Sequence, residues 1–182
     1  MFSDNKISIL DKNNSYEGGL VAGQPLVDAQ LCGNHQVLGV SKDCLYQWDL
    51  RMWRIVNNFR MYNAYTKLWT DGDTVALGNK LGIVSLSTLG DELKTYSEVT
   101  SLVTHVTELK SNKNGGLLVE CSKWKQNAVR LIDIQKGKVV GGWPVVNTKI
   151  GMPTVAGFSA QDQLCVANSH GYLSFFGVSA VK

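Results

Sequence analysis

The stretch Cys44-Leu45-Tyr46-Gln47-Trp48-Asp49-Leu50-Arg51 decides how the rest of the chain is read. Its first six residues are mostly aromatic or large and apolar, and they close on an indole followed by a carboxylate. That is the composition of a short buried strand running into a turn. Four other segments repeat it: Lys6-Ile7-Ser8-Ile9-Leu10-Asp11, Gly82-Ile83-Val84-Ser85-Leu86-Ser87, Ala128-Val129-Arg130-Leu131-Ile132-Asp133 and Gly171-Tyr172-Leu173-Ser174-Phe175-Phe176. Their large apolar markers, Leu10, Trp48, Leu86, Ile132 and Phe175, stand 38, 38, 46 and 43 positions apart. Three prolines and 18 glycines punctuate apolar runs too short for amphipathic helices, so the chain reads as all-β.

A period of about 40–45 residues is that of one four-stranded blade in a β-propeller. Second strands are expected at Val37–Val40, Thr74–Gly78, Leu117–Cys121 and Leu164–Ala167, where Gly39, Gly78 and Ala167 suit the crowding near an axis. The turns Asn79-Lys80-Leu81-Gly82 and Asn168-Ser169-His170-Gly171 lead into third strands, Asn and Gly tolerating positive φ. First strands are expected at about Tyr65–Trp69, Val103–Leu109 and Thr154–Phe158, and outer strands at Arg54–Phe59, Leu93–Val99 and Lys138–Trp143. The chain is then one propeller domain over 1–182, with about four blades present. A partial blade covers 1–24, blades follow over about 25–61, 62–101 and 102–146, and a partial closing blade covers 147–178. Blades bury their faces only against neighbours, so partial ends stay open. Residues 15–21 adding to the last blade, further blades, or a covering partner would each close them. Further blades, making this the C-terminal part of a larger propeller, are the expectation.

Length and composition bound the function. A chain of 182 residues, 44% hydrophobic and 18% charged with five Trp, is one packed globular domain. A net charge of +3 allows nucleic-acid contact without demanding it. No stretch approaches 18 uninterrupted apolar residues, so no membrane span and no membrane partner is expected. The start, Met1-Phe2-Ser3-Asp4-Asn5-Lys6, lacks a charged segment followed by an apolar one, which argues for an intracellular home. Cys32, Cys44, Cys121 and Cys165 lie far apart in apolar runs and are expected as buried thiols. Cys32-x-x-His35 has no second pair at zinc-site spacing, so no metal or other cofactor is expected. His35, His105 and His170 form no array with the cysteines and serines that would activate a nucleophile, and the chain is read as not an enzyme.

The run ending Trp48-Asp49-Leu50-Arg51 resembles the strand that names WD-repeat proteins. The Gly-His dipeptide that opens such repeats is missing, so the hydrogen-bonded tetrad it serves is expected to be incomplete. A closer resemblance covers most of residues 44–178. The order "YQWDLR", "VALGNKLGIVSL", "VTSLVTHVTEL", "LLVECSKWKQNAVRLIDIQKGKVVGGWP" and "TVAGFSAQDQLCVANSHGYLSFFGV" is similar to the C-terminal propeller of the U-three small nucleolar RNA-associated protein eighteen family, a WD-repeat subunit of the small-subunit processome. The turn Lys123-Trp124-Lys125 and the run Gly142-Trp143-Pro144 are its most telling pieces. The resemblance implies a seven-bladed ring and a non-catalytic scaffold in pre-ribosomal RNA processing and small ribosomal subunit biogenesis, placed in the nucleus and nucleolus. It implies as partners other propeller and helical-repeat subunits, with pre-ribosomal RNA and its guide RNA particle contacted directly or through them. The family's N-terminal helicase-recruiting motif is not visible here and is carried onto no residue. The alternative function is a propeller substrate adaptor for a ubiquitin ligase or another multiprotein complex.

The candidate site residues follow from charge and aromatic placement. Lys110, Lys113, Lys123, Lys125 and Arg130 fall in one repeat, with Trp124 between two lysines. Lys123, Trp124, Lys125 and Arg130 are the RNA-contact candidates, able to hold phosphates while the indole stacks on an unpaired base. The plainer reading, and the favoured one, is that the lysines solvate a protruding turn and Trp124 packs on its own blade, five cations being too few to dominate RNA affinity alone. Arg51, Trp53 and Arg54 are the protein-interface candidates, Trp and Arg being favoured anchors. Trp48 and Asp49 are read as a folding device, Asp49 accepting hydrogen bonds from the adjoining turn, and Trp143 and Pro144 as an outer-strand plug and its stop.

Overall fold

Each marker segment is a strand hydrogen-bonded within its own small antiparallel sheet. The computed structural model describes residues 2–3, 5–10, 12–13, 15–144 and 148–178. The first sheet holds β1 (Phe2–Ser3), β2 (Lys6–Leu10) and β3 (Tyr16–Val21), and the second β4 (Leu26–Cys32), β5 (Gln36–Ser41), β6 (Cys44–Asp49) and β7 (Arg54–Arg60). The third holds β8 (Tyr65–Thr70), β9 (Thr74–Asn79), β10 (Ile83–Thr88) and β11 (Lys94–Thr100). The fourth is β12 (Glu108–Ser111), β13 (Leu117–Cys121), β14 (Val129–Asp133) and β15 (Lys138–Val139); the fifth is β16 (Pro153–Phe158), β17 (Leu164–Asn168) and β18 (Leu173–Phe176). In every sheet spatial order follows chain order, a simple meander.

No sheet has a core of its own. Four apolar slabs lie between five sheets. Ile7 and Leu20 meet Val37, Tyr46 and Trp48 in the first, and Leu38, Val40 and Leu45 meet Leu68, Val75 and Leu77 in the second. Val84 and Leu86 meet Val106, Leu109, Leu118 and Ile132 in the third, and Val119, Val129 and Leu131 meet Ala156, Leu164 and Val166 in the fourth. Alternation along each strand therefore sends successive side chains to two different neighbours. On the fifth sheet the face turned away from its neighbour leaves Val155, Leu173 and Phe175 more than half exposed.

Polar bonds stitch the innermost strands one repeat apart. Leu68 N donates to Asp28 Oδ2 at 3.1 Å, Thr70 N to Gln30 Oε1 at 3.2 Å, and Thr66 Oγ1 to the Val106 carbonyl at 2.9 Å, each across 40 residues. These bonds explain two departures from the sequence pattern. The strand β4 has no apolar alternation to reveal it, because Asp28 and Gln30 serve the next sheet rather than solvent. The strand expected at Val103–Leu109 starts only at Glu108. Val106 is fully buried against Gly78, its N–H donates to the Asn79 carbonyl at 3.0 Å and its carbonyl is taken by Thr66, so the segment is committed to the preceding sheet.

Other expectations are also corrected. The outer strand read over Lys138–Trp143 is two residues long. Val140 N still bonds the Leu131 carbonyl at 2.8 Å, then Gly141 and Gly142 (φ 79°) turn the chain. Trp143 therefore does not sit on an outer strand. It packs on the fourth slab, edge-on to Phe176 with ring centroids 5.5 Å apart, and the Trp143–Pro144 peptide is cis. The first sheet gains β1 beyond the two strands expected, and β3 pairs with β2 rather than adding to the last sheet. Cys32 and Cys121 are buried free thiols, whereas Cys44 and Cys165 are half-exposed. Asp11 at the end of the first marker segment, and residues 145–147 at the boundary of the last two expected blades, lie outside the described residues.

Two buried positions make the packing testable. Gly82 has φ +83°, and a Cβ there would stand 2.4 Å from the Leu102 carbonyl oxygen, whereas nothing lies within 4 Å of one at Gly116. Gly82→Ala should destabilise the chain by about 2 kcal/mol or more and Gly116→Ala by far less, read from denaturant midpoints. Glu120 on β13 is fully buried, accepts a hydrogen bond from Ser101 Oγ through Oε1, and has no partner for Oε2 among the described residues. Burial pushes its carboxyl up to about 8 from an ordinary 4.5. The folded chain thus holds a proton that the unfolded chain releases, so stability falls as pH rises from about 4.5 to about 8. Glu120→Gln should remove this slope, gaining on the parent chain as pH rises; parallel stability curves from pH 5 to pH 8.5 would contradict it.

Candidate functional site

In a four-stranded meander the turn between the second and third strands lies at the end where the first strand begins. Lys42 in the β5–β6 turn, Lys80 in the β9–β10 turn and the 122–128 loop between β13 and β14 therefore share one end of the stack with the starts of β8, β12 and β16. There they enclose a cleft of about 640 Å³. Its wall carries Lys42, Lys67, Lys80, Lys123, His105 and Trp124, and Glu108 is its one carboxylate. Lys67 Nζ lies 3.6 Å from Asp28, while Lys42, Lys80 and Lys123 form no ion pair among the described residues. His105 reports the field: its imidazole is held below its ordinary value first by burial and then by the charges of Lys80, Lys123 and Lys67.

The loop carrying Lys123 and Trp124 is fixed at both ends. Ser122 N bonds the Ala128 carbonyl at 2.9 Å, Lys123 N donates to Thr107 Oγ1 at 3.1 Å, and Asn127 Oδ1 accepts from Ile150 N and Gly151 N at 3.0 and 3.1 Å. Trp124 stands outside the four slabs, 62% exposed, with Lys123 Nζ 5.2 Å from its ring centroid. Lys125 is exposed on the same loop but does not line the cleft. Arg130 is turned onto backbone, donating to the Val129 and Asn127 carbonyls at 2.7 and 3.1 Å. Lys113 lies in the β12–β13 turn at the opposite end, its N–H on Asp162 Oδ1, and Lys110 lies within β12. The basic residues of this repeat are thus divided rather than gathered.

At the Trp48-Asp49 turn, Asp49 Oδ1 accepts from Arg51 N at 2.8 Å and Nε at 3.1 Å, and Oδ2 accepts from the guanidinium at 2.6 Å. Hydrogen bonding from Arg51 holds the Asp49 carboxyl at about 2. Arg51 is thereby tied to its own turn, although its side chain is two-thirds exposed. The Trp48 indole N–H is buried without a partner among the described residues. Trp53 (φ 53°) lays its ring so close to Gly18 that a Cβ there would meet it at 2.3 Å, which pins the first sheet to the second. Arg54 opens β7 and is exposed.

Sequence reasoning found Lys123 and Trp124 but not the residues that complete the cleft. The signal was the repeat itself: Lys42, Lys80 and Lys123 are 38 and 43 positions apart, each within two residues of the end of its second strand. Lys67 and His105 carry no comparable mark.

No family model matches the chain. It is 24% identical over 102 residues to the probable U3 small nucleolar RNA-associated protein 18 of Schizosaccharomyces pombe, and 27% identical over 114 residues to the human U3 small nucleolar RNA-associated protein 18 homolog. These alignments cover 53% and 58% of this chain and about a fifth, 20%, of each relative's length. Among solved structures it is similar to the WD40 β-propeller domain of Doa1 (TM-score 0.75, 14% identity) and the Pan2 WD40 domain of Neurospora crassa (TM-score 0.77, 10% identity). Those matches cover 96% and 97% of this chain and 58% and 57% of the solved chains. The five sheets have the WD40 β-propeller fold.

The field at the cleft is measurable. Lys80→Ala and Lys123→Ala should each raise the His105 pKa toward its ordinary 6.5, and the double variant more than either, in an NMR titration of the imidazole. An unmoved titration would mean that the lysine heads lie away from the ring.

Proposed function

We propose that the chain is a non-catalytic WD-repeat scaffold of the small-subunit processome, acting in pre-ribosomal RNA processing and small ribosomal subunit biogenesis. The observation that carries this reading is the similarity, over more than half of the chain, to two relatives named for association with U3 small nucleolar RNA, one from fission yeast and one human. The fold suits the role, because a stack of small sheets offers many turns and edges to several partners at once. On this reading the chain resides in the nucleolus and belongs to the family of those relatives. It is held among other propeller and helical-repeat subunits, with Arg54 and the exposed edge of Trp53 facing protein.

The test is purification of the tagged chain from cells, followed by mass spectrometry and RNA sequencing. Recovery with small-subunit precursors, U3 RNA and their propeller proteins is expected, together with loss of mature small-subunit RNA on depletion. Recovery with a ubiquitin ligase and no pre-ribosomal RNA would replace this reading with the adaptor one.

A further inference from the structure

We propose that the cationic cleft is a binding site for an unpaired, single-stranded segment of RNA, held by phosphates on its lysines and by a base stacked on Trp124. The inference deepens the function above and rests on it only for where such RNA is met; the chemistry stands on the cleft.

Three observations select this ligand. Lys42, Lys80 and Lys123 converge from three successive sheets without carboxylate partners among the described residues, so a run of phosphates relieves a repulsion that the chain itself leaves standing. The threonine hydroxyls of the wall are already engaged. Thr66 Oγ1 donates to the Gly78 and Val106 carbonyls, and Thr107 Oγ1 is taken up between the Cys121 carbonyl and Lys123 N. What remains for a ligand is the charge of the lysines and a flat π surface, beside the His105 imidazole and the Glu108 carboxylate. Trp124 supplies that surface, 62% exposed with a lysine over the ring, on a loop fixed at both ends. An unpaired nucleotide brings both a phosphate and a stacking face. A polyglutamate chain brings only the charge, and a duplex hides its bases' faces.

The test uses the full 182-residue chain and a fluorescein-labelled uridine octamer, with anisotropy read between about 50 and 200 mM salt. Three to four phosphate contacts predict a slope of log K against log salt of about −2 to −3, at roughly −0.7 per contact for single strands. Trp124→Ala should weaken binding about tenfold or more at an unchanged slope. Lys42→Ala with Lys80→Ala should flatten the slope by about 1.4. Lys113→Ala with Lys138→Ala, away from the cleft, should change nothing, and circular dichroism verifies that each variant folds. An RNA duplex and a polyglutamate peptide should compete poorly. No binding of the octamer, binding indifferent to Trp124, or equal competition by polyglutamate would overturn the proposal. Octamer binding by a chain that fails to copurify with pre-ribosomes would sink the processome reading instead, and copurification without octamer binding would sink only this one.

Discussion

The apolar slab between adjacent sheets is the interaction on which the whole molecule depends. On β5, Val37 belongs to one slab and Leu38 and Val40 to the next; on β14, Val129 and Leu131 face forward while Ile132 faces back. Each buried side chain of this size contributes roughly 1.5–3 kcal/mol, and none of that is available to an isolated sheet. A register slip of one residue would exchange the two faces, so the slabs also set the pairing. The polar stitches at one-repeat spacing add direction. Asp28 and Gln30 engage backbone of the next innermost strand, fixing how far each sheet is rotated from its neighbour.

The cleft is a by-product of that arrangement. Short turns at one end of two sheets bring Lys42 and Lys80 to the cleft, and the longer 122–128 loop of a third adds Lys123 and an indole. Nothing in the slabs requires cations there. The opposite end of the fourth sheet is ordinary by comparison: Lys136 pairs with Asp133 at 3.0 Å, and the Lys113 backbone is tied to Asp162.

Much of the fold was legible because burial and periodicity coincide on the second and third strands. Thr74–Asn79, Leu117–Cys121 and Cys44–Asp49 are buried on both faces, and such runs read as strands at sight. The first strands were harder, because their side chains divide between slab and stitch. In β4 polar residues face protein, and over 103–107 Val106 alone is buried, in a segment outside any strand. Trp143 was misplaced for a related reason: two glycines carry it off the strand its neighbours start. At the candidate site, Trp124 between lysines was visible in sequence. The direction of Arg130 onto carbonyls of its own loop is a local geometry that residue identity does not specify, and the sharing of one cleft by Lys42 and Lys80, marked only by their repeat spacing, depends on the stacking of sheets.

The stitching of innermost strands has one more consequence. Because the cations of the cleft sit on separate sheets, their spacing is set by the angles between those sheets, and a polyanion spanning them favours one set of angles. On the proposed binding, ligand and inter-sheet packing are thermodynamically linked: a polyanion that spans the sheets stabilises the stack it spans, and loosening the Gln30–Thr70 or Thr66–Val106 bonds lowers its affinity by the same coupling.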